Sequence, residues 1–482
     1  MCSLQPQAEK LAVFCILEAI YFSMAKSFNI TRNDLRHMIN EVCRKMAYLN
    51  ESVREGGKAG HMLHPFEINE YTFGDYKQLV RDLFSTNIEK FTEKLDGMNI
   101  FATVDQNGTV RFARNTSDVK NEFGGMDPAG IQARWGNGSD PTILEAYDNA
   151  YKLFSDVVQK LQDPIGFFNG EGYRFYANCE VIDPVHPNVI PYLNKGKTLS
   201  FHGLVALKTD GTAKEADVPD ELYDQKMSVL ERLLPDVKSE YGEAQVTPQV
   251  VIKIRENCEQ AIDEYIARIE RIEEMAGVSD DTTIIDYRAK LLPEWLASNG
   301  YEILLNNQFS DYFMKRWVYG EKEPTLSQFK VVMRKSGVEN WEEIFNTAKA
   351  FEGGFKKGSP WKAAMDDIME PVEVFFYSLG NEVLKGVQDY SNVGRDAEVM
   401  QSYAQQLQAT QEMLQASGDL EYQQDMTRCL HKLAQLGNEY NAMEGVVFSY
   451  GGKTLKLTGS FAALNRAINI RIQLAKKQKN QA

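Results

Sequence analysis

Strand-like patterning occurs at two places in this chain, with more than two hundred residues of helical patterning between them. From Met98 the apolar period is two. Residues 99–104 and 109–113 read as short strands around Asp105-Gln106-Asn107-Gly108, and Asn-Gly between such runs is a strong local hairpin signal. After a helix near Pro141 to Leu161, strands resume at 173–182 and 198–207. From about Asp217 to Glu439 the period is helical: Ile254, Cys258, Ile262, Tyr265, Ile269, Ile272 and Met275 recur three or four apart and stop at Gly277. The start of that stretch, 249–254, fits a strand equally well. Further helices are predicted over 281–298, 325–336, 361–388, 394–416 and 419–440. Strand patterning returns at 444–450 and 453–457, on either side of Gly451-Gly452. The simplest architecture is α+β, with a mixed core formed by 66–212 and 441–482 and split by an all-helical insertion over 213–440.

Residues 1–65 read as a helical N-terminal cap. Two helices are predicted within 8–56, the second opened by the capping arrangement Thr31-Arg32-Asn33-Asp34, and Gly56-Gly57-Lys58-Ala59-Gly60 reads as a joint. The apolar run 11–17 is interrupted by Glu18 and is too short to span a bilayer; an amphipathic helix suits it better than a signal peptide. Thr72-Phe73-Gly74-Asp75 starts another helix, which carries the chain to residue 94.

With 482 residues, 43% apolar and 25% charged, the composition is that of a globular protein. Six cysteines lie far apart without a Cys-x-x-Cys pair, which argues against a disulfide framework or a thiolate zinc site and for a reducing cytoplasm. The formal charge of −15 excludes a protein that coats nucleic acid with its whole surface, but leaves room for a local basic groove. Zincin, Walker and nucleophile-elbow motifs are absent from the sequence. His61 and His64, and likewise Asp183 and His186, fit loops better than metal sites.

The chemistry is concentrated in a series of short elements. Glu93-Lys94-Leu95-Asp96-Gly97 sets a lysine beside a carboxylate and a tight turn, which suits a nucleophile that attacks a phosphorus centre; standing alone, it also fits an ordinary charged turn. Arg114 ends the hairpin, with Arg111 as the competing arginine. In the strand Tyr173 to Val181, alternation sets Glu180 opposite Cys179 and Val181. Leu199-Ser200-Phe201-His202-Gly203, Met443-Glu444-Gly445-Val446-Val447-Phe448 and Thr454-Leu455-Lys456-Leu457 follow in order.

In order and chemistry this series resembles the nucleotidyl-transfer motifs of the ATP-dependent DNA ligase, RNA ligase and mRNA-capping superfamily. The resemblance covers roughly 66–208 and 441–470. It implies an ATP-grasp-like nucleotidyltransferase core of antiparallel sheets, with ATP and Mg2+ bound. Lys94 would be the nucleophile, activated by desolvation or by nearby cations such as Lys456 and magnesium, with Asp96 and Gly97 forming the loop around it and Glu93 and Gly97 bordering the nucleotide. Arg114 would engage phosphate or sugar and Glu180 the ribose hydroxyls. Phe201 would stack on the purine, with His202 as the alternative. Glu444 would position the metal, and Lys456 would stabilise charge on the α-phosphate. Two departures stand out: Cys179 where a glycine often precedes the glutamate, and threonines at 454 and 458 in place of a Lys-x-Lys pair.

The superfamily's C-terminal barrel has no counterpart after Lys456, where 457–482 read as a helix with a basic tail. The helical insertion therefore favours a phage-type RNA ligase. Such an enzyme would be a cytoplasmic monomer, without membrane contact, that joins 5′-phosphate and 3′-hydroxyl ends of RNA. Lys315-Arg316-Trp317, Arg334-Lys335 and 356–362 mix cations with aromatics as a strand-binding surface would, and fit solvated helix ends as well. A DNA ligase with a helical clamp, or a binding protein with a degenerate core, are the other readings.

Overall fold

The computed structural model describes residues 62–481, apart from 86–87, 89, 115–117, 119–123, 136–140, 186, 193–195, 210–215, 217, 253–257, 357, 388–396 and 441–442. The expected N-terminal helices, the glycine joint, His61 and His186 lie outside the described residues. The chain divides into two compact units, Met1–Val53 with Ser449–Lys453 and Arg54–Phe448 with Thr454–Ala482. The second carries everything that follows.

Helix α1 (Phe73–Leu83) opens with the capping box written in the sequence: Thr72 Oγ1 accepts from the Asp75 N–H, and the Asp75 carboxylate accepts from the Thr72 N–H. Strands β1 (Phe91–Lys94), β2 (Met98–Val104) and β3 (Val110–Ala113) follow. The β2–β3 turn is closed by Asp105, whose Oδ1 accepts from the N–H groups of Asn107 and Thr109. Helices α2 (Pro128–Trp135), α3 (Pro141–Lys160) and α4 (Pro164–Phe168) lead to β4 (Asn169–Gly170), β5 (Tyr173–Ile182) and β6 (Thr198–Lys208). After α5 (Asp220–Leu233) come β7 (Lys238–Ser239), β8 (Gly242–Val246) and β9 (Gln249–Val250).

The larger sheet has the order β3-β2-β5-β6-β8-β7, with β4 on β5. One face is apolar. Ile100, Ala102, Phe175, Ala177, Cys179 and Phe201 pack there against Tyr147, Phe154 and Val157 of α3 and against Leu230 of α5. The opposite face carries Asn99, Asn178 and Glu180, as period-two alternation requires.

Eight helices then run from α6 (Cys258–Ala276) through α7 (Ile284–Ser298), α8 (Ser310–Trp317), α9 (Leu326–Lys335), α10 (Trp341–Glu352), α11 (Pro360–Lys385) and α12 (Ala397–Ser417) to α13 (Leu420–Gln435). Strands β10 (Gly445–Tyr450) and β11 (Lys453–Leu457) and helix α14 (Phe461–Gln481) complete the order. The smaller sheet is β11-β10-β1-β9. Among the described residues, no helix is long and apolar enough to cross a membrane.

Two expectations need correction. The stretch from 213 is not all helical, because β8 extends the larger sheet beside β6 and β9 pairs with β1. The β6–β8 pairing is parallel, so the sheets are mixed rather than purely antiparallel. Gly-Glu-Ala-Gln-Val buries only Ala244, too little apolar alternation to mark a strand in sequence. Nor do the last helices keep a core apart from the strands. Val399 and Tyr403 of α12, Leu433 of α13 and Phe461 and Leu464 of α14 share one cluster with Leu95, Ile182, Val189 and Tyr192.

Helix α11 is fastened to the end of β11. Buried Asn381 accepts from the Ser460 N–H at 2.8 Å and donates to Ser460 Oγ at 2.7 Å. One residue earlier, a Cβ on Gly380 would stand 2.6 Å from the Gly459 nitrogen. Alanine would gain about 1 kcal/mol in helix propensity but lose about 1–3 kcal/mol to overpacking. Gly380→Ala is therefore expected to lower the denaturant midpoint; a raised midpoint would contradict this packing.

Candidate active site

Strand β1 runs antiparallel to β10 with Lys94 opposite Gly445, which brings the next residue, Glu444, within reach of the lysine. Lys94 Nζ lies 2.6 Å from Glu444 Oε1, and the two side chains are only 17% and 11% exposed. Both glycines of these elements are there for close approach. A Cβ on Gly445 would stand 2.3 Å from the Leu457 carbonyl oxygen, and one on Gly97 would stand 2.5 Å from that of Val181. Because Gly97 sits against β5, its N–H donates to Glu180 Oε1 at 3.0 Å. The other oxygen, Oε2, is 3.2 Å from His202 Nε2.

The electrostatics follow from this crowding. Burial pushes the Lys94 ammonium towards losing its proton, but Glu444, Glu180 and Asp96 together outweigh burial and hold its pKa above the ordinary lysine value. Burial pushes Glu444 up to about 7, against the pull of Lys94. Burial and the Lys94 charge both lower Lys456, while Glu67 and Glu444 offset part of this. Cations were expected around the nucleophile. The structure surrounds it with carboxylates instead, because strand pairing across the chain, invisible in the motif, decides its neighbours.

Asp96 turns to a different task. Its carboxylate accepts from Asn188 Nδ2 at 2.6 Å and from the N–H groups of Val189 and Ile190 at 2.7 Å, while its own N–H donates to Tyr192 Oη at 2.6 Å. Tyr192 holds φ at +44°, a conformation that costs a bulky residue energy and that this bonding helps to maintain. Asp96 therefore fixes the segment 188–192 next to Lys94.

Other expected site residues fall elsewhere. Phe201 is completely buried in the core, parallel to Phe154 at 6.1 Å, and so is removed from base stacking. Its type fits either face, and only the packing of α3 decides. Glu93 is 2% exposed, and alternation along β1 turns it away from the Lys94 face. Arg114 is exposed and donates to Tyr147 Oη at 2.6 Å, apart from the ion pair; the Tyr147 hydroxyl also senses Glu180. Arg111 is committed to Asp105 and Asp127. Of the basic stretches, Arg316 forms a two-pronged pair with Glu352 and Trp317 is 2% exposed, so neither serves as a strand-binding surface; Arg334, Lys335 and Lys356 are exposed.

Sequence reasoning missed Asn188, Tyr192 and Thr247, and also Tyr403, whose hydroxyl is raised by burial and then by Asp96 and Glu444. These residues come from loops and a helix with no motif of their own. Among the described residues, no three His, Cys, Asp or Glu side chains group to hold a metal ion by themselves. Comparison with protein-family models, with curated proteins and with solved structures gave no match.

Replacing Glu444 by Gln removes the charge that most strongly opposes the effect of burial on Lys94. The Lys94 pKa should then fall below its wild-type value, read as a lower half-point in the pH profile of Lys94 reductive methylation. An unchanged half-point would contradict the pairing. Asp96→Ala strands the N–H groups of Val189 and Ile190, each at a cost of about 1–3 kcal/mol. Hydrogen exchange at those two amides should accelerate sharply, and protection at the wild-type level would contradict the anchoring role.

Proposed function

We propose that this chain is an ATP-dependent polynucleotide ligase, an RNA ligase before a DNA ligase, working through a lysyl-AMP intermediate. The observation that carries the reading is the Lys94–Glu444 pair, with Glu180 and Lys456 in the same electrostatic neighbourhood. Residues from four separated motifs converge on one amine, as covalent nucleotidyl transfer requires.

Magnesium fits the donor set. Glu444 and Glu180 offer carboxylate oxygens but no complete protein cage, which suits an ion that takes one or two carboxylates and fills its shell with substrate phosphates and water. When bound, it would neutralise phosphate charge. The protein's own residues carry the rest. Lys94 must lose a proton before it attacks, and the nearest acceptor is Glu444, whose affinity for a proton is already raised by burial. The Nζ lone pair then forms the N–P bond to the α-phosphorus, the bond from phosphorus to the bridging oxygen breaks, and pyrophosphate leaves; a second amine proton passes to solvent. Lys456 would stabilise the charge developing on the α-phosphate. AMP next passes to a 5′-phosphate end, and a 3′-hydroxyl displaces it as the phosphodiester forms.

The preference for RNA rests on the helical elements, which stand where most DNA ligases have a barrel. With ATP and magnesium, the wild type is expected to seal 5′-phosphorylated RNA ends faster than nicked DNA, and Lys94→Ala to lose joining by at least about a hundredfold. Joining that survives Lys94→Ala, or failure on every RNA and DNA end, would overturn the reading.

A further inference from the structure

A second polar chain starts at Glu180 and runs away from the nucleophile. Glu180 Oε2 meets His202 Nε2 at 3.2 Å, His202 Nδ1 meets Thr247 Oγ1 at 2.9 Å, and Thr247 Oγ1 meets Ser200 Oγ at 3.2 Å. Ser200 and Thr247 are buried, and the His202 side chain is 15% exposed. The chain ties β5, β6 and the residue following β8 together at the sheet face that holds the Lys94 turn.

A backbone irregularity puts the histidine there. Phe201 and Leu204 both face the apolar core although they are three residues apart, which strict alternation forbids. The register between β5 and β6 shifts at this point: Cys179 pairs with Phe201 and Asn178 with Gly203, leaving His202 as the extra residue. Such a bulge re-aims a side chain and is over-represented beside active sites. Here it turns His202 onto Glu180.

Elementary donor counting gives the chain a direction. An ionised Glu180 only accepts, so the hydrogen between it and the ring belongs to His202 Nε2. In a neutral ring Nδ1 then accepts, so Thr247 donates to it and receives from Ser200. Glu180 is thereby held from both sides, by the Gly97 N–H at Oε1 and by His202 at Oε2.

We propose that His202 is a positioning residue for nucleotide selection: it fixes Glu180, through Nε2–H, in the orientation that accepts the 2′-hydroxyl of a ribonucleoside triphosphate bound beside Lys94. This rests on the ligase reading, under which Glu180 meets the ribose. Thr247 and Ser200 set the tautomer and touch no substrate. A histidine that served only the fold would leave the choice between ribose and deoxyribose untouched.

The test has two arms. Nitrogen-15 NMR of the full-length, histidine-labelled protein, with His202 assigned by comparison with His202→Gln, should find the proton on Nε2; a ring protonated on Nδ1 alone overturns the proposal. In the second arm, self-adenylylation by wild type, His202→Leu and His202→Gln is compared with ATP and 2′-deoxy-ATP. Wild type should prefer ATP. His202→Leu should reduce that preference by about tenfold or more, the loss falling on ATP. His202→Gln, whose side-chain amide still donates, should recover most of it. A folded His202→Leu protein that slows equally with both nucleotides, or a wild type that does not distinguish them, overturns the proposal while leaving the ligase reading standing. A wild type that forms no adduct with any nucleoside triphosphate removes both.

Discussion

The buried ion pair between Lys94 and Glu444 is the constraint around which the rest of this structure is arranged. Removing two charges from water is expensive, and breaking such a pair by deleting one partner typically costs about 3–5 kcal/mol. The pair is tolerated because strand register supplies the geometry. Lys94 and Gly445 face each other across β1 and β10, and the missing side chain at Gly445 lets Leu457 of β11 come close. The β10–β11 segment, far along the chain, is thereby tied to the strand that carries the nucleophile.

The helices brace this arrangement rather than standing beside it. Asp96, two residues after the lysine, holds 188–190 through three short hydrogen bonds, and Gln406 of α12 donates to the Val189 carbonyl on the other side of that segment. The shared cluster of Leu95, Val189, Tyr403 and Phe461 adds apolar burial, and Asn381 of α11 locks the turn after β11. Through these connections the helical region takes part in the conformation of the Lys94 turn. A substitution far from the lysine, on α11 or α12, can therefore change the site without touching it.

Much of the local structure was legible because it rests on local chemistry. The Asp105-Gln106-Asn107-Gly108 turn, the Thr72 cap and the helix limits at 141–160, 284–298 and 326–335 follow from side chains within a few residues of one another. The convergence of Lys94, Glu180, Glu444 and Lys456 was expected from their order, and these four do share one electrostatic neighbourhood. What failed depended on partners distant in sequence. Phe201 belongs to the core because α3 covers that face, Arg316 is claimed by Glu352, and β8 is a strand because β6 lies beside it. The carboxylate surroundings of Lys94 belong to the same class, since no motif states which charges a fold will bring to it.

The proton balance of the pair links the fold to the chemistry. An amine that carboxylates hold above its usual pKa is stable in place but unreactive until its proton moves, and a glutamate raised to about 7 is a suitable acceptor at neutral pH. The most direct test is tandem mass spectrometry of peptides from protein incubated with ATP and magnesium, digested under conditions that preserve a phosphoramidate. The account predicts AMP on the Nζ of Lys94. AMP carried by a different residue, or no adduct on a folded protein first freed of prebound AMP, would contradict it.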